Sequence, residues 1–134
     1  MKLSSKGRYA VMALTDLAKF DPNGPVSLRD ISLRQGISLV YLEQLFLKLK
    51  KNKIVSSVRG NKGGYVLLKK PSEIKISDVF IAVDEKIKTI GCEKTSKQGC
   101  NGRSSKCITH DLWDELGDYI NEFFKKKNIG DLIN

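Results

Sequence analysis

The sequence predicts a mainly α-helical fold with one small β-hairpin. Three observations carry that expectation. Apolar residues recur with helical period in separate stretches near residues 9–20, 42–49 and 112–123. Gly60 and the pair Gly63-Gly64 fall between two short β-branched segments. A chain of 134 residues with 40% hydrophobic and 29% charged residues also suits one compact domain with an appended element.

The elements follow in order. Tyr9, Met12, Ala13, Leu17 and Phe20 share one face of a first helix over Ser5–Phe20, stopped by Asp21-Pro22-Asn23-Gly24-Pro25. Ser27 and Asp30 have capping spacing and open a short second helix with Leu28 and Ile31 turned inward; Gly36 breaks it. Ser38 caps a third helix whose Leu42, Leu45, Phe46 and Leu49 form an i, i+3, i+4, i+7 stripe, with Tyr41, Gln44, Lys48 and Lys51 on the other face. Strands are expected over 54–58 and 65–68, joined by a turn over 59–64 whose glycines permit positive φ. After Pro71, Ser77 is the expected cap of a one- to two-turn helix ending near Val83.

Residues 85–107 show no sustained period and include Gly91, Gly99 and Gly102; a loop of that length in a small domain calls for something that orders it. The last helix starts near Thr109. Leu112, Leu116, Tyr119, Ile120 and Phe123 give it a wide apolar stripe flanked by Trp113 and Phe124, and Lys125 to Lys127 suit its C-terminal dipole. The expected organisation is thus a unit over 1–84, a loop over 85–107, and a long helix with the C-terminal segment over 108–134.

Charge separates these regions. Residues 1–70 carry 14 basic and 4 acidic side chains, whereas 71–134 carry 10 and 11. The whole excess of the +9 chain therefore sits in the first half, the pattern of an anion-binding module joined to a neutral one. No stretch approaches the length of a membrane span, and the N-terminus lacks a signal-peptide core, so a cytoplasmic protein without membrane contact is expected. Three cysteines exclude a complete intramolecular disulfide framework.

Helix, glycine turn, helix and glycine-turned hairpin is the order of a winged helix-turn-helix. In that arrangement the second helix of the pair enters the major groove of double-stranded DNA. Ser38, Tyr41 and Gln44 are the expected polar contacts, Gln44 being able to pair bidentately with adenine. Arg59, Gly60 and Lys62 form the wing tip that reaches a narrow groove or phosphates. The helix starts at Ser27 and Ser38 offer backbone N–H groups to phosphate. Any one of these side chains is equally explained as the solvated face of an amphipathic helix; it is their combination with the charge asymmetry that argues for DNA. Glu43 runs against the trend, either as a neutral surface residue or as an acid that repels phosphate, accepts from cytosine N4 and so filters sequence.

Cys92, Cys100, Cys107 and His110 follow C-x7-C-x6-C-x2-H spacing and include every cysteine and the only histidine. A Cys3His zinc site and an iron–sulfur unit both fit such donors, and unrelated thiols are the bland alternative. The long gaps lack the C-x2-C knuckle typical of zinc and suit a larger group. No catalytic triad, carboxylate pair or phosphate-binding loop is present, so no enzyme is expected.

Ser5-Lys6-Gly7-Arg8-Tyr9-Ala10-Val11, Ile37-Ser38-Leu39 with Tyr41-Leu42-Glu43-Gln44-Leu45-Phe46, and Ser57-Val58-Arg59-Gly60 with Gly63-Gly64-Tyr65 closely resemble the IscR-type winged-helix family of bacterial iron–sulfur cluster regulators. The resemblance runs over nearly the whole chain. It implies a homodimeric repressor and activator of cluster-assembly genes, a palindromic operator, a last helix that serves dimerisation, and a [2Fe–2S] cluster on Cys92, Cys100, Cys107 and His110, supplied by cluster-assembly or carrier proteins. Val40 replaces a serine of the family pattern, and Asn61-Lys62 replaces Pro-Gly. A nitric-oxide-sensing branch of the family uses an aspartate where this chain has Arg8, which argues against that branch. The alternatives are a thiol- or nitric-oxide-responsive winged-helix repressor, and a zinc-stabilised interaction adaptor.

Overall fold

The computed structural model describes residues 3–87 and 108–133. Helix α1 spans Ser5–Phe20, α2 Leu28–Gln35 and α3 Leu39–Lys51. Strands β1 (Val55–Val58) and β2 (Gly64–Leu67) form an antiparallel hairpin, followed by α4 (Ile76–Ala82) and α5 (His110–Lys126). Short 3-10 turns lie at Asp21–Asn23, Pro71–Glu73 and Ile129–Leu132. A mainly helical fold with one hairpin is what the sequence predicts.

Two of the expected caps form. The Ser27 hydroxyl accepts from the Asp30 N–H at 3.1 Å, and Ser38 accepts from the Tyr41 N–H at 3.4 Å. Gly36 closes α2 in the left-handed region, φ 68°, where its N–H reaches the Ser32 carbonyl. The third expected cap does not form. Helix α4 starts at Ile76, with Lys75 before it and no side-chain cap, so Ser77 lies inside the helix. The reason is tertiary. The Ile76 N–H donates to the Lys127 carbonyl at 2.9 Å, and the Ile129 N–H donates to the Ile74 carbonyl at 2.9 Å. A segment from the far end of the sequence thus satisfies the helix start that a serine would otherwise serve.

The core is built from α1 (Ala10, Ala13, Leu14, Leu17), Ile31 of α2, the α3 stripe, Val55, and Ile74 to Val83 around α4. Ile129 completes it and is fully buried. The inward face of α1 differs from the expected one. Ala10 and Leu14 share the buried stripe with Ala13 and Leu17, while Met12 is 38% exposed and Tyr9 only half-buried. Helix α1 is apolar over a wide arc, and its small alanines let α3 and α4 pack closely on a side that hydrophobicity alone does not single out.

The hairpin is tied down close to its turn. Val26 exchanges both backbone hydrogen bonds with Tyr65, at 3.0 and 2.7 Å, and the Tyr65 ring meets Phe46 edge-on at 4.9 Å. A Cβ on Gly64 would strike the Val26 carbonyl, so this approach requires glycine. Helix α5 touches the core mainly through Phe124, whose ring lies 4.8 Å from Phe80.

Candidate nucleic-acid interface and sensor ligands

An ion pair fixes the angle between α1 and α2, and with it the helix-turn-helix. The Arg34 guanidinium donates to both Asp16 oxygens, Nε to Oδ2 at 2.9 Å and a terminal nitrogen to Oδ1 at 2.7 Å; Gln35 adds a third bond at 2.8 Å. The Asp16 side chain has no exposed surface, and Arg34 stacks over Phe20 at 4.0 Å. Hydrogen bonding to Asp16 holds the Arg34 pKa above its ordinary value despite partial desolvation. Sequence reasoning missed this lock, because nothing local to Asp16 signals a partner eighteen residues on.

Helix α3 turns Leu42, Leu45, Phe46 and Leu49 into the core and leaves Val40, Glu43, Gln44 and Leu47 facing outward. Ser38 is exposed at its start. Tyr41 is drawn partly back: its ring meets Tyr9 edge-on at 5.8 Å, and its hydroxyl lies 3.1 Å from the Ser5 hydroxyl. Ser27 is half-buried at the start of α2, next to the Val26–Tyr65 pairing.

Arg59, Gly60 and Lys62 are exposed at the hairpin tip. There the Gly63 N–H closes a turn onto the Gly60 carbonyl at 3.0 Å, with Gly60 at φ 117°. Tyr65, two residues past that turn, pairs with Val26 just before α2, so the tip stands beside the start of the helix pair.

A second feature unforeseen from the sequence is Glu85, which is 9% exposed. Its Oε1 accepts from the Ser4 hydroxyl at 2.6 Å and from the Gly7 N–H at 2.9 Å, placing a carboxylate at the positive end of α1. Lys6 donates to the Asp84 carbonyl, and Lys48 of α3 pairs with the Asp84 carboxylate, both at 3.2 Å. The chain just before the cysteine segment is therefore bonded to the starts of α1 and, through Lys48, to α3.

Of the expected ligands, Cys92, Cys100 and Cys107 lie outside the described residues. His110 is described: it is the first residue of α5 and 6% exposed. Thr109 before it accepts from the Trp113 indole N–H at 3.1 Å.

Residues 3–134 match the family model described as Rrf2, iron-dependent transcriptional regulator. The chain belongs to the Rrf2 family. It is 51% identical over 134 residues to the HTH-type transcriptional regulator IscR of Photorhabdus laumondii, covering all of this chain and 80% of that one. It is 52% identical to IscR of Escherichia coli, covering 81% of that protein. Among solved structures, T. potens IscR matches with a TM-score of 0.78 and 36% identity over 98% of this chain and 85% of that one. The B. subtilis global cysteine regulator CymR matches at 0.81 and 30% identity over 98% and 95%. The Rrf2 assignment makes this a DNA-binding transcription regulator with a winged helix and not an enzyme, as the sequence predicts. Among the described residues, no helix is long and apolar enough to cross a membrane.

Proposed function

We propose that this Rrf2 regulator senses iron–sulfur cluster supply in the cytoplasm and, as a homodimer, binds palindromic double-stranded DNA to control cluster-assembly genes. One observation carries the sensing half. All the thiols and the only imidazole fall within residues 92–110 of a chain about half identical to IscR proteins. Three thiolates and an imidazole are a donor set suited to a [2Fe–2S] cluster, two ligands to each iron, and Cys92, Cys100, Cys107 and His110 would hold it. Bound there, the cluster supplies a redox-active group whose neutral histidine ligand raises its potential. Buried at the first turn of α5, His110 is carried on a regular element, which favours a defined ligand position.

The DNA half rests on α3 and the wing. Gln44 and Ser38 present hydrogen-bonding groups outward, while Arg59 and Lys62 bring charge toward phosphates or a narrow groove. Glu43, exposed between them, penalises sites whose geometry brings it near phosphate. The dimer reading rests on α5, whose Leu112, Leu116, Tyr119 and Phe123 stand at 4-3-4 spacing and are 57, 38, 70 and 54% exposed. Beside them an apolar groove of about 680 Å³ runs between α1, α4 and α5.

The test is anaerobic purification followed by absorption spectroscopy and metal analysis. Two irons and two sulfides per protomer with a visible chromophore are expected, and Cys92→Ala, Cys100→Ala or Cys107→Ala each abolishes the colour with helical content unchanged. A colourless protein with one zinc per chain sinks the cluster reading. A metal-free protein whose DNA binding follows thiol oxidation favours instead the thiol-responsive alternative.

A further inference from the structure

The outward strip of α3 consists of Val40, Glu43, Gln44 and Leu47, at i, i+3, i+4 and i+7. Its composition is unusual for a surface meant to lie on DNA, because it carries no cation before Lys50 and Lys51 in the last turn of the helix. The cations lie at its far end or off it: Lys50, which donates to the Ser57 hydroxyl at 2.8 Å, and exposed Lys51 end the helix, Lys48 is paired with Asp84, and Arg59 and Lys62 are on the wing. An acid and two apolar side chains have nothing to offer phosphate, which is bound by donors. Base edges in the major groove offer other chemistry. Adenine pairs with an amide such as Gln44, and the C5-methyl group of thymine takes an apolar contact.

Val40 is 63% exposed and takes no part in the core. Being β-branched, it favours a helix less than the straight-chain residues open to a surface position. Neither folding nor packing accounts for it. It stands in the first turn of α3, where recognition helices meet base edges, and one turn before Gln44 on the same face.

We infer that Val40 is a specificity-determining residue that reads the C5-methyl group of a thymine. Four residues of helix are about 6 Å, and successive bases are spaced about 3.4 Å apart. The thymine therefore lies within about two base pairs of the base that Gln44 contacts. Leu47 has similar chemistry but sits two turns into the helix, and no base is assigned to it. The inference rests on reading α3 as the recognition helix.

The experiment uses the anaerobically purified protein and duplexes it enriches from a randomised library. Each thymine of the enriched site is replaced singly by deoxyuridine, which removes only the methyl group, and affinity is read by fluorescence anisotropy at fixed salt. Wild-type protein is expected to lose about fourfold at one thymine per half-site, the worth of one buried methyl group. Val40→Ala, confirmed folded by circular dichroism, is expected to be indifferent at that thymine and unchanged at the others. An equal loss in Val40→Ala, or no sensitive thymine in wild type, overturns the assignment. Gln44→Ala, assayed in parallel, separates the two levels. If it discriminates among sites as well as wild type does, the recognition-helix reading fails. If it relaxes discrimination while uridine has no effect, only the Val40 inference fails.

Discussion

Helices α3 and α5 are both amphipathic, of 13 and 17 residues, yet they treat their apolar stripes in opposite ways. In α3 the stripe Leu42, Leu45, Phe46 and Leu49 is at most 3% exposed, closed in by α1, α2 and the hairpin. In α5 Phe124 packs on Phe80 and Phe123 meets Phe124, yet among the described residues the 4-3-4 seam stays largely exposed. Periodicity alone makes the two helices look alike. What separates them is whether neighbours cover the stripe, and among the described residues that of α5 is left exposed. The first helix is stabilised by its own fold, and on the proposed reading its outward face meets DNA. On the proposed reading, the second keeps its apolar front for another copy of the chain.

Substitutions on the two stripes sharpen that contrast. The largest expected effect is Phe46→Ala, which leaves a cavity beside Tyr65 and costs about 3–5 kcal/mol in a denaturant titration, with DNA binding falling as the fold does. Leu116→Asp with Tyr119→Asp is expected to behave differently. Both positions are exposed in the single chain, so sedimentation should report monomers that keep their helical content and bind a palindromic duplex far more weakly. If that pair unfolds the protein and leaves no monomer, the seam belongs to the core and the contrast fails.

Smaller effects are expected on the polar back. Gln44→Ala should cost about 1–3 kcal/mol at matched sites and little on random duplex, whereas Arg59→Ala should weaken both alike and reduce the salt dependence. Glu43→Ala should mainly relax site selection, read as tighter binding to duplexes the wild type rejects. Equal losses on matched and random duplex for Gln44→Ala remove it from the base-reading set.

How far the sequence announces this structure depends on the range of each contact. Caps at Ser27 and Ser38, the glycine-turned hairpin and the α3 stripe are local patterns, and each appears where periodicity and turn chemistry put it. The exceptions are long-range. Ser77 is no cap because Lys127 reaches Ile76. Asp16 is buried because Arg34 and Gln35 arrive from another helix. Glu85 holds the start of α1 from about eighty residues away. Tyr41, polar by type and on the expected face, is half withdrawn by Tyr9 and Ser5. The exposed strip of α3 was legible in part, Gln44 and Glu43 by their chemistry and Val40 as a departure from the family pattern, whereas Val40's 63% exposure came only with the fold.

The pairing of Ile74 and Ile76 with Lys127 and Ile129 has a further consequence, for how such a protein can change over generations. It joins the two ends of residues 77–126 beside the core, on which α4 and Phe124 within that stretch also pack. The entropic cost of closing a flexible excursion rises slowly, by about 0.6 kcal/mol for each doubling of its length. Insertions among residues 88–107 should therefore cost the helical core little. On the proposed reading, sensing chemistry there can be respaced or exchanged as a cassette while the helix pair and wing keep the same frame.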